Sequence, residues 1–268
     1  MTEQTITRDG VNLNVRIDGE TGHDAPTLVF SNSLGTTLHL WDDVLPHLPK
    51  GLRIIRYDTR GHGKSDVPPA PYTMGALISD AEAICDALHV RNCVFVGLSV
   101  GGMIAQGLAI KRLDIVRGLV LSNTAAKIGN PPLWQDRIDA VRKQGLDAMA
   151  DDVMARWFGK NFVASAAVTP WRDMLATTPT DGYIGVCAAI AGTDFYTPTS
   201  GLRLPTLGIA GALDKATPPD LVRETIDLIP GADFALMQRA GHLPCVEKPQ
   251  EYAALLSAFL SRIGHHPH

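Results

Sequence analysis

The chain has 268 residues, 45% of them hydrophobic and 19% charged, with a formal net charge of −4. That is enough apolar material for one large domain with a sizeable core, and mild acidity without a basic stripe argues against a nucleic-acid partner. No apolar run approaches the roughly 20 residues needed to cross a bilayer, and the first residues hold no apolar leader stretch, so neither membrane insertion nor secretion is expected.

Val11, Leu13, Val15 and Ile17 alternate with polar neighbours, the pattern of an antiparallel edge strand. From Thr27 onward the pattern changes to short, largely apolar runs at 27–30, 52–57, 93–96, 118–121, 206–210 and 234–237. Such runs mark strands covered on both faces of a parallel sheet. Leu77, Ile78, Ala81, Ile84, Cys85 and Leu88 recur three and four apart and predict a helix from about Thr73 to His89. A last helix is predicted from about Pro249 to Ile263. The alternation of strand and helix gives an α/β fold with a mostly parallel, doubly wound sheet.

One stretch breaks the alternation. Between about 125 and 200 no strand is evident, and the segment reads as helical with prolines at 131, 132, 170, 179 and 198 and with Trp134, Trp157 and Trp171. The expected organisation is a core of residues 1–124 and 201–268 with a helical cap inserted at 125–200. That cap would lie over the carboxyl edge of the sheet, where ligands bind in open α/β folds. Cys85, Cys93, Cys187 and Cys245 show no paired spacing and fall in or beside apolar elements, as free buried thiols of a cytoplasmic protein do. The tail His265-His266-Pro267-His268 reads as a frayed terminus rather than a metal site.

Chemistry concentrates in a few turns. Gly97-Leu98-Ser99-Val100-Gly101 joins the apolar run 93–96 to a helix-like stretch of small residues. A sharp strand-to-helix turn exposes the serine hydroxyl above the sheet, and the flanking glycines let the turn pack. The hydroxyl needs a base, and His242 follows the run 234–237, placing it at the same sheet edge. His62 also follows a strand, but its glycine-rich setting favours a structural role over a catalytic one. The acid of such a triad falls between serine and histidine in the chain. Asp214, after the run 206–210, fits; Asp194 lies in the expected cap, Asp220 at a helix start and Asp233 at the wrong end of a strand. Oxyanion donors are expected from the Val100 N–H and from the Leu34 N–H in the loop after 27–30. Ser31, Asn32 and Ser33 in that loop are expected to hydrogen-bond the loop itself.

With these residues in place the chain resembles the α/β-hydrolase family throughout. More narrowly it resembles the 3-oxoadipate enol-lactonases of aromatic degradation. The resemblance is carried by Ser31-Asn-Ser-Leu-Gly-Thr36, Arg56-Tyr-Asp-Thr-Arg-Gly-His-Gly63, Gly97-Leu-Ser-Val-Gly-Gly102, Ser122-Asn-Thr-Ala-Ala-Lys-Ile-Gly129, Ala155-Arg-Trp-Phe158 and Gly182-Tyr183. Many hydrolases have His-Gly where Asn32-Ser33 stands here, and Pro244-Cys245 after the histidine is less usual.

The resemblance implies hydrolysis of a small anionic enol-lactone through an acyl-enzyme on Ser99, with no metal and no cofactor. Trp134 then becomes a candidate wall of the substrate pocket, or alternatively a joint between cap and core. Arg137 is a candidate partner of the substrate carboxylate; Arg156 and Lys160 are further candidates against the ordinary reading of solvated helix-face charges. A carboxylesterase or perhydrolase of another small acyl substrate would use the same triad. So would a slow-turnover, ligand-sensing protein of the same fold.

Overall fold

The computed structural model describes residues 1–267. Its centre is one eight-stranded sheet of β1 (Thr2–Arg8), β2 (Val11–Gly19), β3 (Thr27–Ser31), β4 (Arg53–Tyr57), β5 (Cys93–Leu98), β6 (Val116–Ser122), β7 (Thr206–Gly211) and β8 (Asp233–Met237). The strands lie in the order β1-β2-β4-β3-β5-β6-β7-β8. β2 pairs antiparallel with both β1 and β4, and from β4 to β8 every pairing is parallel. All residues of β3, β4, β5 and β7 are buried, which is why their sequences are largely apolar rather than alternating.

The Val11–Ile17 strand is not at the edge, contrary to the expectation from its alternation. β1 covers it, joined by a tight turn in which Asp9 and Gly10 have φ of 49° and 78°. Two successive positive φ values suit the right-handed twist of a two-residue hairpin, and Asp-Gly is a favoured pair there. β1 itself is mostly polar, with no fully buried residue, so its hydrophobic signal is faint.

Helices fill the crossovers. α1 (Met74–Ala87) starts where the Thr73 hydroxyl accepts the Ala76 N–H, and α2 (Val100–Lys111) follows β5 directly. Between β6 and β7 lie only helical segments: α3 (Pro131–Gln144), α4 (Ala150–Trp157), α5 (Lys160–Val163), α6 (Thr169–Ala176), α7 (Thr180–Ala191) and α8 (Tyr196–Ser200). α3 is capped by the Asn130 side chain and opens on two prolines, whose fixed φ and missing N–H are harmless in a first turn. Gly61 and Gly182 meet backbone to backbone, leaving no room for a Cβ on either, so this helical segment sits tightly against the loop after β4. α9 (Pro219–Asp227), α10 (Pro244–Glu247) and α11 (Pro249–Arg262) complete the chain.

The tail does not fray where expected. His265 is buried and its Nε2 donates to the Thr27 carbonyl at 3.0 Å, docking the chain end on β3; His268 lies outside the described residues. Among the described residues no cluster of metal-ligating side chains occurs. All four cysteines are free and buried, and no described helix is long and apolar enough to cross a membrane.

Candidate active site

Ser99 is the single residue between β5 and α2, with φ 59° and ψ −120°. A non-glycine residue is strained in this region, so surrounding bonds must hold it there. The Ser99 N–H donates to the Ser122 carbonyl at 3.0 Å, and the Ser99 carbonyl accepts from Thr124 Oγ1 at 2.6 Å and from the Gly102 N–H at 2.9 Å. A Cβ on Gly97 would strike the backbone of Gly101, and one on Gly101 would strike the Ser31 carbonyl. The two glycines of the motif are therefore steric requirements of the turn.

His242 lies in the loop after β8, its ring almost fully buried. Its Nδ1 lies 2.8 Å from Asp214 Oδ2, which also accepts from Asn123 Nδ2 and Thr217 Oγ1, each at 2.8 Å. The other oxygen, Asp214 Oδ1, accepts the backbone N–H groups of Ala216 at 2.7 Å and Thr217 at 3.1 Å. Burial alone would raise the Asp214 pKa, but the charge and hydrogen bond of His242 and the bonds from Asn123 and Thr217 outweigh it and hold the carboxyl below its usual range. An ionised, acceptor-only carboxylate at Nδ1 fixes the Nδ1–H tautomer and leaves Nε2 free as the basic nitrogen.

Ser99 and His242 line one cavity of about 250 Å³, together with Ser33, Leu34, Trp134, Arg137 and Tyr183. The sequence-predicted residues Ser99, His242, Leu34, Trp134 and Arg137 thus meet at one place, with Asp214 directly behind His242 and Val100 opening α2 beside Ser99. An N–H in the first turn of a helix has no intrahelical acceptor, so that of Val100 is available to a ligand.

The loop of Leu34 is held from below. Asn32 Nδ2 donates to the Tyr57 carbonyl at 2.7 Å, Asn32 Oδ1 accepts from Trp41 Nε1 at 2.7 Å, and the Ser31 and Tyr57 hydroxyls are 2.8 Å apart. Ser31 and Asn32 therefore bind the scaffold. Ser33 does not follow them: its hydroxyl faces the cavity, 3.5 Å from His242 Nε2. His62 accepts the Gly35 N–H on Nε2 at 3.0 Å, and burial lowers its pKa to about 4, so it is a neutral structural acceptor.

The charge of the cavity is one-sided. Arg137, Arg156 and Lys215 line it, and no Asp or Glu does among the described residues. Arg137 Nε donates to the Tyr183 hydroxyl at 3.2 Å, and Lys215 Nζ donates to the Ala155 carbonyl at 3.1 Å. Burial, and then the like charge of Arg137, lower the pKa of Arg156. Lys160, by contrast, is exposed at the start of α5 and is not among the lining residues. Trp134 is half-buried, lines the cavity and donates from Nε1 to the Ile128 carbonyl at 2.6 Å. Of the rival acids, Asp194 pairs at the surface with Lys127 and Asp233 with Arg262.

Asn123, Thr217, Lys215 and the orientation of Ser33 carry no signal in the sequence that marks them as site features. Asn123 and Thr217 are ordinary polar residues until the fold brings both to the same carboxylate. Taken together, the arrangement offers a hydroxyl on a strained turn facing the cavity, a histidine steadied by an ionised carboxylate, the helix-start N–H of Val100 and a cationic pocket wall.

Comparison with known proteins fits this geometry. A family described as alpha/beta hydrolase fold matches residues 26–249. The 3-oxoadipate enol-lactonase 2 of Acinetobacter baylyi is 34% identical over 98% of both chains. The crystal structure of the enol-lactonase from Burkholderia xenovorans superposes with a TM-score of 0.91 at 36% identity, covering 97% of this chain and 100% of that one. A thermophilic esterase from Thermogutta terrifontis superposes at 0.88 with 26% identity, over 98% and 99% of the two chains.

Proposed function

The chain belongs to the α/β-hydrolase family, and from that premise we propose that it is a serine hydrolase opening 3-oxoadipate enol-lactone to 3-oxoadipate in the breakdown of aromatic compounds. The observation that carries the substrate class is the cavity wall: Arg137, Arg156 and Lys215 and, among the described residues, no acid line the cavity that Ser99 and His242 share. A small ring bearing a carboxylate matches both the charge and the modest volume. The enol-lactonase relatives supply the particular lactone.

In this reading His242 Nε2 takes the Ser99 hydroxyl proton as Oγ attacks the lactone carbonyl. The oxyanion is met by the N–H groups of Leu34 and Val100, and Asp214 stabilises the imidazolium. Collapse breaks the ring C–O bond and expels the enol oxygen, which His242 protonates. Tautomerisation of the enol to a ketone then removes the group that could close the ring again. Water, deprotonated by His242, cleaves the acyl-enzyme and returns Ser99. Residues 125–200 act as the cap that carries Trp134, Arg137 and Arg156. Four buried free thiols suit a reducing, cytoplasmic setting.

A carboxylesterase acting on neutral esters would use the same Ser99, His242 and Asp214, but it has no use for three cations. The test is a spectrophotometric assay of the purified protein on the enol-lactone beside p-nitrophenyl acetate and butyrate. The proposal expects sustained lactone turnover with a kcat/KM well above that of either ester. Fast neutral-ester hydrolysis with an inert lactone would discard it.

A further inference from the structure

The loop of the base is stitched to the helical segment that lines the cavity. The His242 N–H donates to the Trp157 carbonyl at 2.6 Å. Glu247, at the end of α10, bridges the same two stretches: Oε2 accepts the Gly241 N–H at 2.5 Å and Oε1 accepts the Gly159 N–H at 2.9 Å. A Cβ on Gly241 would run into the Trp157 carbonyl, so the two backbones touch and only glycine fits. On the far side of this seam, α4 contributes Val153, Arg156 and Trp157 to the cavity.

We propose that Glu247 is a positioning residue that locks the loop of His242 to the end of α4, so that the base and the substrate-contacting wall are held in one register. Glu247 is not among the residues lining the cavity, so it acts through Gly241 and Gly159 rather than on substrate. Two N–H donors converge on one side chain, and a carboxylate supplies an acceptor to each. An amide supplies one acceptor and turns its NH₂ toward the second N–H, so glutamine satisfies only half of the bridge. Burial raises the Glu247 pKa, with the two backbone bonds and Lys248 opposing and Asp214 adding to the rise. The side chain thus spans the seam at a cost in solvation that its two bonds offset in part.

The inference rests on His242 being the base for Ser99, and the test separates the two. Paraoxon phosphorylates a histidine-activated serine that it can reach, releasing one p-nitrophenolate per active site, and needs no cognate lactone. Wild type, E247Q and E247D are compared for the phosphorylation rate at saturating paraoxon, well below their melting temperatures. E247Q is expected to react about 10–100-fold more slowly, the scale of a misplacement of order 1 Å. E247D, which keeps the charge but is one methylene short, falls between it and wild type. The loss should fall on the saturated rate rather than on the half-saturating concentration.

Folded E247Q or E247D reacting at the wild-type rate overturns the proposal, even if its melting temperature is lowered, because that is the signature of a merely structural bridge. If E247Q does not fold, the rate of E247D decides alone. Wild type that gains no phosphoryl group on Ser99 and turns over neither the lactone nor p-nitrophenyl acetate removes the Ser99–His242 reading itself, and the positioning role with it.

Discussion

The His62 ring accepts the Gly35 N–H at 3.0 Å, so a buried neutral imidazole anchors the residue next to Leu34 in the loop after β3. Its pKa is about 4, lowered by burial from the ordinary 6.5. Between those values the unfolded chain holds a proton that the folded protein excludes, so stability is complete above about pH 6.5 and is lost as pH falls toward 4. Each pH unit in that window removes about 1.4 kcal/mol, so the loss reaches about 2–3 kcal/mol by pH 4.5. His62→Gln keeps an acceptor for Gly35 and removes the titration. Urea unfolding at pH 7 and pH 4.5 should therefore show a smaller acid loss in the variant, by about that amount; equal losses would detach His62 from acid stability.

Two serine hydroxyls share the cavity with His242, and only one sits on the strained turn. Ser99→Ala should lower kcat on the order of 10⁴–10⁶-fold with the fold intact. Ser33→Ala should cost no more than about 10-fold, since its hydroxyl is a neighbour of Nε2 and not the attacking group. Steady-state kinetics on the pair check this, and peptide mapping after paraoxon treatment should find the phosphoryl group on Ser99. A reversed order of losses would reassign the nucleophile.

Asp214 Oδ2 is the atom on which His242, Asn123 and Thr217 converge, so replacing the aspartate and replacing one of these partners should differ in scale. Asp214→Asn presents an amide to His242 Nδ1 and disturbs the tautomer, with an expected loss on the order of 10³–10⁴-fold in kcat. Asn123→Ala leaves Asp214 Oδ2 its bonds to His242 and Thr217, and about a 10-fold loss is expected. Kinetics of both variants at one pH suffice; comparable losses would mean that Asn123, not Asp214 alone, sets the histidine.

What can be read from the sequence follows from how local its cause is. β3 through β7 declare themselves because strands covered on both faces are largely apolar, and α1 because its buried stripe repeats at helical spacing; β8, half-exposed at the sheet edge, shows only as the short run at 234–237. Ser99, His242 and Asp214 are legible because each follows a strand on the same sheet edge. β1 escapes the hydrophobic pattern since its stability comes from pairing with β2, and only the Asp9-Gly10 pair announces it. The bridge of Glu247 is hidden for a different reason. Its partners, Gly241 and Gly159, are 82 residues apart and contribute only backbone N–H groups, which no side-chain pattern records.

Trp134 both lines the cavity and holds the Ile128 carbonyl through its indole N–H, so its two roles can be separated by substitution. Trp134→Phe keeps an aromatic wall and strands the carbonyl, so the melting temperature should fall by a few degrees, about 1–2 kcal/mol, with KM nearly unchanged. Trp134→Ala also removes the wall and should raise KM or lower kcat. Thermal melts beside kinetics distinguish them; an unchanged KM in the alanine variant would leave Trp134 as a joint only.

Arg156 provides the sharpest test of an anionic substrate, because burial and the like charge of Arg137 outweigh the attraction of Tyr183 and Asp214 for it. Removing a cation held against its own charge environment costs little, so Arg156→Met should melt no lower than wild type. Its loss should appear only when a negative ligand enters the cavity. One charge-assisted contact at a partly exposed site corresponds to about 1.4 kcal/mol, or a 10-fold rise in KM for the enol-lactone. KM for p-nitrophenyl acetate, which carries no charge, should stay within about 2-fold, since that contact contributes nothing to a neutral ester. The lactone penalty should also shrink as salt rises and screens the remaining cations. If both substrates lose equally, the side chain shapes the cavity instead of reading charge, and the acid-free wall ceases to be evidence for a carboxylate.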